Sequence, residues 1–116
     1  MRVDPSIFKA YDIRGIYPSQ LDENTARGVG RAFATYLKPA QVVVGRDMRL
    51  SSPAVCAALL EGLTQQKVNV IDIGMVSTDQ YYYVCATLNL PGLMVTASHN
   101  PPEYCGFKMV RKMPYL

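Results

Sequence analysis

Short β-branched runs alternate along this chain with longer segments whose apolar residues recur at helical spacing, and this alternation most constrains the fold. Gln41–Val44 and Val68–Ile73 have the length and composition of buried strands. The segments that follow Asp22 and Ser52 instead place apolar residues along one helical stripe. Strands alternating with helices build layered α/β domains, in which right-handed crossovers pack the helices on the sheet. We therefore predict an α/β fold, a three-layer domain with a mostly parallel mixed sheet flanked by helices.

Capping and turn residues place the boundaries of the predicted elements. Asp22 and Ser52 can accept hydrogen bonds from the free N–H groups of a helix start, and Pro39 ends the first helix. The last two predicted strands are joined by a short loop, so they can run antiparallel. The predicted order is a strand within Ile7–Gly15, a helix from Asp22 to Pro39, the strand Gln41–Val44, a helix capped by Ser52, the strand Val68–Ile73 closed by Gly74, a helix from Ser77 or Thr78 to about Leu88, and the strands Leu93–Thr96 and Gly106–Val110.

Length and composition argue against several classes of function. A chain of 116 residues, 49% of them hydrophobic, has the size of one domain and enough apolar residues for a core. Its net charge of +3 is scattered, whereas a dense basic face is typical of nucleic-acid binding. No apolar run approaches the roughly 20 residues that a membrane span needs, and the N-terminus lacks the apolar stretch of a signal peptide. We expect a cytoplasmic protein with no nucleic-acid or membrane partner.

The spacing of cysteines and carboxylates predicts no metal or disulfide framework in this chain. Cys56, Cys85 and Cys105 are widely separated and form no C-x-x-C pair, so buried reduced thiols are expected. No run of carboxylates is present. Because Mg²⁺ requires several oxygen ligands, this chain by itself cannot build a convincing magnesium site.

The segment Thr96–Pro102 directly follows the apolar residues Gly92–Val95 and carries the first candidate site. A small residue before Ser98 lets the chain turn tightly and present the serine hydroxyl, and Asn100-Pro101 restricts the backbone at the exit. Ligands of open α/β sheets bind beyond the carboxyl ends of the strands, which is where this serine is expected. Since Ser, Asn and Pro are also ordinary turn formers, a plain turn is the alternative.

His99 and Lys108 lie close to this loop in the sequence. His99 is the chain's one histidine, and neighbours in extended backbone point apart, so it is disfavoured as the base of a Ser-His-Asp triad. It can still donate a hydrogen bond to a bound phosphate. Lys108 can pair with phosphate or act as a general base, and a solvated edge lysine is the alternative.

Three arginines, Arg14, Arg46 and Arg49, each follow a predicted strand. The guanidinium fork matches two phosphate oxygens at once, so one or two of these side chains are candidates to line an anion site. A salt bridge of Arg46 or Arg49 to Asp47 or to another acidic residue is the structural alternative.

Four motifs occur together and in order. They are Ala10–Gly15, Val44–Asp47 with Arg49 and Ser51, Thr96–Pro102, and Gly106–Lys108. This set resembles the N-terminal domain of the α-D-phosphohexomutases, the phosphomannomutase/phosphoglucomutase family. The resemblance extends from about Ile7 to Val110, and the Ser-His-Asn-Pro loop is its most specific part.

The resemblance implies one domain of a four-domain enzyme that moves phosphate between O1 and O6 of a hexose. The loop serine would be carried as a phosphoserine that donates phosphate to a hexose phosphate. The resulting hexose 1,6-bisphosphate would turn around and return its other phosphate. A phosphoserine oxygen would ligate Mg²⁺, with the remaining ligands, three aspartates, supplied by the second domain.

The resemblance also assigns roles to individual side chains. Lys108 is the candidate for proton transfer and Arg14 for charge stabilisation, while Ser98 contacts the metal through its phosphate. The other candidates are His99 as a further catalytic residue and Tyr11, Asn100 and Arg49 as substrate-binding residues.

This sequence departs from the family pattern in three places. Cys105 stands where asparagine is usual before Gly-Phe-Lys, and Asp79 replaces the proline common after Thr78. The chain also stops at Leu116, before the end of the family's first domain. We therefore expect residues 1–116 to form a single truncated first domain that turns over inefficiently alone, and that associates with itself or with the missing mutase domains. The alternative is a non-catalytic α/β module that binds phosphate or a partner chain.

Overall fold

The chain alternates strands and helices, as the sequence predicts. The computed structural model describes residues 13–97, 101 and 103–110, and these residues form five strands and three helices. The strands are β1 Ile13–Ile16, β2 Gln41–Arg46, β3 Asn69–Met75, β4 Gly92–Val95 and β5 Tyr104–Val110. The helices are α1 Glu23–Leu37, α2 Ser52–Gln65 and α3 Thr78–Leu88.

The described strands form one mixed sheet in the order β1-β5-β4-β2-β3. β2 lies between β3 and β4 and pairs with both in parallel, as expected for strands joined by helical crossovers. β5 pairs antiparallel with β4 on one side and with β1 on the other. Four of the five described strands therefore point the same way and β5 runs against them, which confirms the mostly parallel mixed sheet.

Helices cover the sheet on both faces. Val42 and Val44 of β2 pack with residues of α1 and α2, whereas Val43 packs with Tyr81 and Cys85 of α3. A strand buried on both faces is apolar at successive positions, which explains why β2 reads as a continuous β-branched run. We call the face covered by α1 and α2 the back and the face on which α3 packs the front. The three layers are as predicted.

Side-chain caps begin α1 and α3 where the sequence places them. Asp22 Oδ1 accepts a hydrogen bond from the Thr25 N–H at 2.9 Å. Ser77 caps α3 in a capping box with Gln80, in which each side chain bonds the other residue's backbone N–H. A capping box satisfies two backbone N–H groups that have no partner within the helix. The N-cap of α3 is therefore Ser77 and not Thr78.

Three strands continue through glycines that were expected to end or follow them. Gly15 pairs with Cys105 of β5, so β1 runs on to Ile16 and Arg14 lies inside the strand instead of in a loop after it. β2 likewise continues through Gly45 to Arg46, which was expected in the loop after the strand. β3 passes through a register shift and continues to Met75, with Gly74 at φ 74°. These predictions were wrong because pairing with a distant strand extends a strand past a local turn signal.

The start of α2 is shifted by one residue from the prediction. Ser51 occupies the N-cap position. Ser52 is instead fully buried, and its hydroxyl donates to the Asp47 carboxylate. A tertiary hydrogen bond therefore takes the serine that the sequence assigns to the cap.

The outer surface differs from the prediction at one aromatic residue. Tyr36 follows Phe33 at helical spacing, which predicts that it lies in the buried stripe of α1, but its side chain is 80% exposed. It follows the buried Ala34 by two residues, about 200° round the helix at 3.6 residues per turn.

Cys56, Cys85 and Cys105 are free and buried, as predicted. None of the helices in the described ranges is long and apolar enough to cross a membrane.

Candidate functional site

Segments that leave and enter the sheet meet at the carboxyl end of β4. Thr96 and Ala97 are buried and lead into residues 98–100. The Thr96 N–H donates to the Gly106 carbonyl at 2.9 Å, so the pairing of β4 with β5 continues past the end of the strand. On the return, the Tyr104 N–H donates to the Pro101 carbonyl at 3.0 Å. Both flanks of the predicted serine loop are thus fixed to the sheet.

Arg14 and Lys108 lie on the same face of the sheet. Arg14 is directly opposite Gly106 in the antiparallel pair of β1 and β5, and Lys108 is two residues further along β5. Lys108 is in turn opposite Met94, which belongs to the front cluster with α3. Residues opposite each other share a face, and diagonal neighbours of this kind are about 7–8 Å apart. The front face therefore carries two neighbouring cations beside the loop.

Gly106 provides the space in which Arg14 lies. A Cβ atom on Gly106 would be 2.9 Å from Arg14 Cγ and 2.1 Å from the Ile13 carbonyl oxygen. Since the second neighbour is backbone, it cannot move aside cheaply. The absence of a side chain at this position lets β1 pair closely and lets the arginine stem cross over β5.

Tyr81 of α3 fixes the backbone at Lys108. Its ring is fully buried, and its hydroxyl donates to the Lys108 carbonyl at 3.2 Å. Burial raises the pKa of the Tyr81 hydroxyl well above its ordinary value, so the group stays protonated and remains a donor. α3 is therefore joined to this part of β5 by the hydrogen bond from Tyr81 to the Lys108 carbonyl.

Arg49 is engaged in a network with Asp47. Its Nε donates to Asp47 Oδ2 at 3.1 Å, and its backbone N–H donates to Asp47 Oδ1 at 3.1 Å. Its Nη1 donates to the Pro101 carbonyl at 2.7 Å. The Arg49 side chain is 8% exposed and that of Asp47 11%. The salt bridge considered as an alternative for Arg49 is present.

Arg46 does not join Arg14 and Lys108. It is paired with Val95 of β4, a member of the back cluster, so its side chain lies on the back face. Within the described part of the chain, its Nε is buried without a hydrogen-bond partner. Arg14 and Arg46, which both lie within strands, are therefore on opposite faces of the sheet.

The remaining candidates cannot be placed. Ser98, His99, Asn100 and Tyr11 lie outside the described residues. Their catalytic and substrate-binding roles stay predictions. The roles of Arg14, Lys108 and Arg49 also stay predictions, although the structure describes where these three residues lie.

Sequence reasoning offered the salt bridge between Asp47 and Arg49 as an alternative, but it missed the hydrogen bond from Ser52 to Asp47 and the role of Tyr81. For Asp47 a signal was available, because Asp47, Arg49 and Ser52 are close enough in sequence for one carboxylate to accept from both later residues. For Tyr81 no sequence signal was available, because its hydrogen-bond partner Lys108 is 27 residues away.

The described residues do not supply a magnesium site. Across these ranges, no group of three or more His, Cys, Asp or Glu residues is arranged to hold a metal ion. Asp47 is already engaged by Arg49 and Ser52. Hard cations need several oxygen ligands, so this part of the chain alone does not fit the group that the resemblance implies.

Residues 5–115 match the family model described as phosphoglucomutase/phosphomannomutase, alpha/beta/alpha domain I. This chain belongs to the phosphoglucomutase/phosphomannomutase family. The phosphomannomutase of Salmonella typhimurium is 49% identical over 106 residues, which cover 90% of this chain and 23% of that protein. The phosphomannomutase of Klebsiella pneumoniae is 45% identical over 106 residues, which cover 90% of this chain and 68% of that protein.

A solved structure supports the same fold for this family member. The phosphoglucomutase/phosphomannomutase family protein of Burkholderia thailandensis superimposes with a TM-score of 0.88 at 43% identity. The match covers 93% of this chain and 26% of that protein. The predicted family and α/β fold are thereby confirmed, and the chain spans about a quarter of the Salmonella and Burkholderia proteins.

Proposed function

We propose that this chain is the phosphoserine-bearing domain of a phosphohexomutase and that Ser98 carries the phosphate. The supporting observation is that Arg14 and Lys108 share the front face beside the two fixed flanks of the Ser98 loop. Phosphoryl transfer depends mainly on positioning and on neutralising the charge of the transferred group. Two cations next to a held loop supply both requirements.

In the proposed reaction a hydroxyl of a hexose phosphate attacks the phosphorus of phosphoserine 98. A new P–O bond to the sugar forms as the bond to Ser98 Oγ breaks, so the sugar hydroxyl loses a proton and Oγ regains one. Lys108 is the proposed carrier of that proton, and Arg14 stabilises charge on the transferred group. The hexose 1,6-bisphosphate that results returns its other phosphate to Ser98 by the reverse exchange.

The proposal also covers the substrates, the metal ion and the association of the chain. Substrates are hexose phosphates and hexose 1,6-bisphosphates, contacted by His99, Asn100 and Tyr11. When bound, Mg²⁺ would draw charge from a phosphoserine oxygen. Its other ligands would have to come from outside the described residues. We also propose a cytoplasmic location, inefficient turnover by this chain alone, and association with a second copy or with other mutase domains.

Phosphate uptake tests the proposal directly. The chain is incubated with α-D-glucose 1,6-bisphosphate and Mg²⁺, and the peptide containing Ser98 is examined by mass spectrometry. We expect one phosphate on that peptide and none in the Ser98→Ala variant. Arg14→Gln should lower the rate of uptake by about tenfold or more, because one cation facing the transferred charge is lost.

The alternative of a phosphate-binding or partner-binding module predicts a different result. The unmodified chain would then bind the bisphosphate, if at all, without a change in its mass. Phosphate found at another residue and retained in Ser98→Ala would also contradict the assignment of Ser98.

A further inference from the structure

We propose that Asp47 and Arg49 form a clamp that positions the Ser98 loop from the back of the sheet and acts on phosphoryl transfer without touching the substrate. By the Asp47–Arg49 clamp we mean these two residues with the Ser52 hydroxyl that donates to Asp47. The inference rests on the proposed function, in which Ser98 carries the phosphate. It gives Arg49 a role different from the substrate binding assigned by resemblance.

The clamp holds the chain on both sides of residues 98–100. On the entry side, the Asp47 N–H donates to the Val95 carbonyl at 3.0 Å. On the exit side, Arg49 Nη1 donates to the Pro101 carbonyl at 2.7 Å. Val95 precedes Ser98 by three residues and Pro101 follows it by three. One short segment therefore fixes the two points between which the serine must lie.

The Asp47 carboxylate aims the guanidinium at the exit carbonyl. Asp47 Oδ2 accepts from Arg49 Nε at 3.1 Å, while Oδ1 accepts from the Arg49 N–H at 3.1 Å and from the Ser52 hydroxyl. The guanidinium is planar and rigid, so fixing Nε also fixes the direction of Nη1. Lysine offers a single cationic nitrogen on a flexible stem and cannot reproduce this fork.

The location of the clamp favours positioning over substrate binding. Cys105, a fully buried member of the back cluster, lies within electrostatic range of both Asp47 and Arg49. Arg14 and Lys108 instead lie on the front face. The Arg49 side chain is 8% exposed, so little of it is open to a ligand from solution.

Conservative variants of the clamp separate these two roles. Arg49→Lys keeps the charge but loses the fork, and Asp47→Asn keeps the shape but loses the charged acceptor. Arg31→Lys is the matched control, because Arg31 makes one exposed hydrogen bond to Gln65 between α1 and α2. Each variant is compared by hydrogen–deuterium exchange over 95–104 and by the rate of Ser98 phosphorylation at increasing α-D-glucose 1,6-bisphosphate with Mg²⁺ fixed.

For both clamp variants we expect faster exchange over 95–104, with exchange in α1 and β2 unchanged. The maximal phosphorylation rate should fall about 10- to 100-fold, the range that a misplacement of about 1 Å produces. The bisphosphate concentration at half-maximal rate should change less than about twofold, because the substrate contacts are intact. The double variant should be no slower than Arg49→Lys, since Asp47 acts through Arg49.

Other outcomes overturn the clamp. A raised half-maximal concentration at unchanged maximal rate would make Arg49 a substrate-binding residue, and unchanged exchange over 95–104 would show that the loop is not held. If the unmodified chain takes up no phosphate, the proposed function fails. The exchange comparison then decides alone whether the clamp holds the loop.

Discussion

At the level of one residue, Cys105 is a buried and uncharged neighbour of Asp47 and Arg49 on the back of the sheet. The side chain is fully buried opposite Gly15. Burial raises the pKa of the Cys105 thiol to about 11. The thiol is therefore neutral at physiological pH and leaves the charge balance of Asp47 and Arg49 undisturbed.

The raised pKa predicts a loss of stability in alkali. Because the thiol ionises less readily in the folded chain than in the unfolded one, its contribution is complete below the unfolded value of about 8.5 and is lost as pH rises toward 11. The slope from one thiol is at most about 1.4 kcal/mol per pH unit. Urea unfolding at pH 8, 9 and 10 should show a shallower fall for Cys105→Ser than for the unmodified chain. An equal fall in stability with pH for the two proteins would contradict this prediction.

The packing of α1 on α2 is controlled at the element level by the absence of a side chain at Gly62. A Cβ atom there would lie 2.2 Å from the Arg27 carbonyl oxygen of α1. This neighbour is helical backbone, so the helices would have to separate. α1 and α2 together cover the back cluster, which makes their spacing a property of the whole back layer.

Gly62→Ala should therefore destabilise the chain even though alanine favours helix by about 1 kcal/mol. Overpacking of this kind costs about 1–3 kcal/mol, and the net loss should appear in urea unfolding. Ala57→Gly, at an exposed position of the same helix, isolates the propensity term and should cost about 1 kcal/mol. A Gly62→Ala protein more stable than the unmodified chain would show that the helices can move apart.

Local signals predicted the elements better than the faces on which side chains lie. Asp22 and Ser77 cap helices through bonds within a few residues, so the sequence alone identified them. Arg14 was assigned to a loop because the following glycine resembles a turn, whereas its position depends on pairing with β5. The neighbouring positions of Arg14 and Lys108 on the front face depend on the pairing of β1 with β5, which lie far apart in the chain, so no local pattern encodes them.

At the level of the whole molecule, large apolar side chains are exposed at the carboxyl ends of the parallel strands. Met75 ends β3 and is 60% exposed, and Met48 and Leu50 follow β2 with exposures of 74% and 101%. Contiguous exposed apolar surface is typical of interaction sites. Beside it, β3 is an edge strand among the described elements, and unpaired edges also favour association.

We expect the chain to self-associate through this surface. Light scattering over a concentration series should show a dimer or larger species, and Met48→Ser with Leu50→Ser should weaken association by about tenfold or more, since each buried apolar side chain contributes about 1.5–3 kcal/mol. Tyr36→Ser is the matched control, because Tyr36 is 80% exposed in the last turn of α1. A monomer at every concentration would disprove the association.

The separation of front and back has a practical consequence for redesign. The hydrogen bonds of Asp47 and Arg49 grip the chain from behind, while Arg14 and Lys108 project from the other side of the same strands. Exchanging the two front cations for neutral or acidic residues should change what the scaffold attracts without altering the hydrogen bonds of Asp47 and Arg49 to the Val95 and Pro101 carbonyls. Ligand preference and mechanical support can thus be altered one at a time.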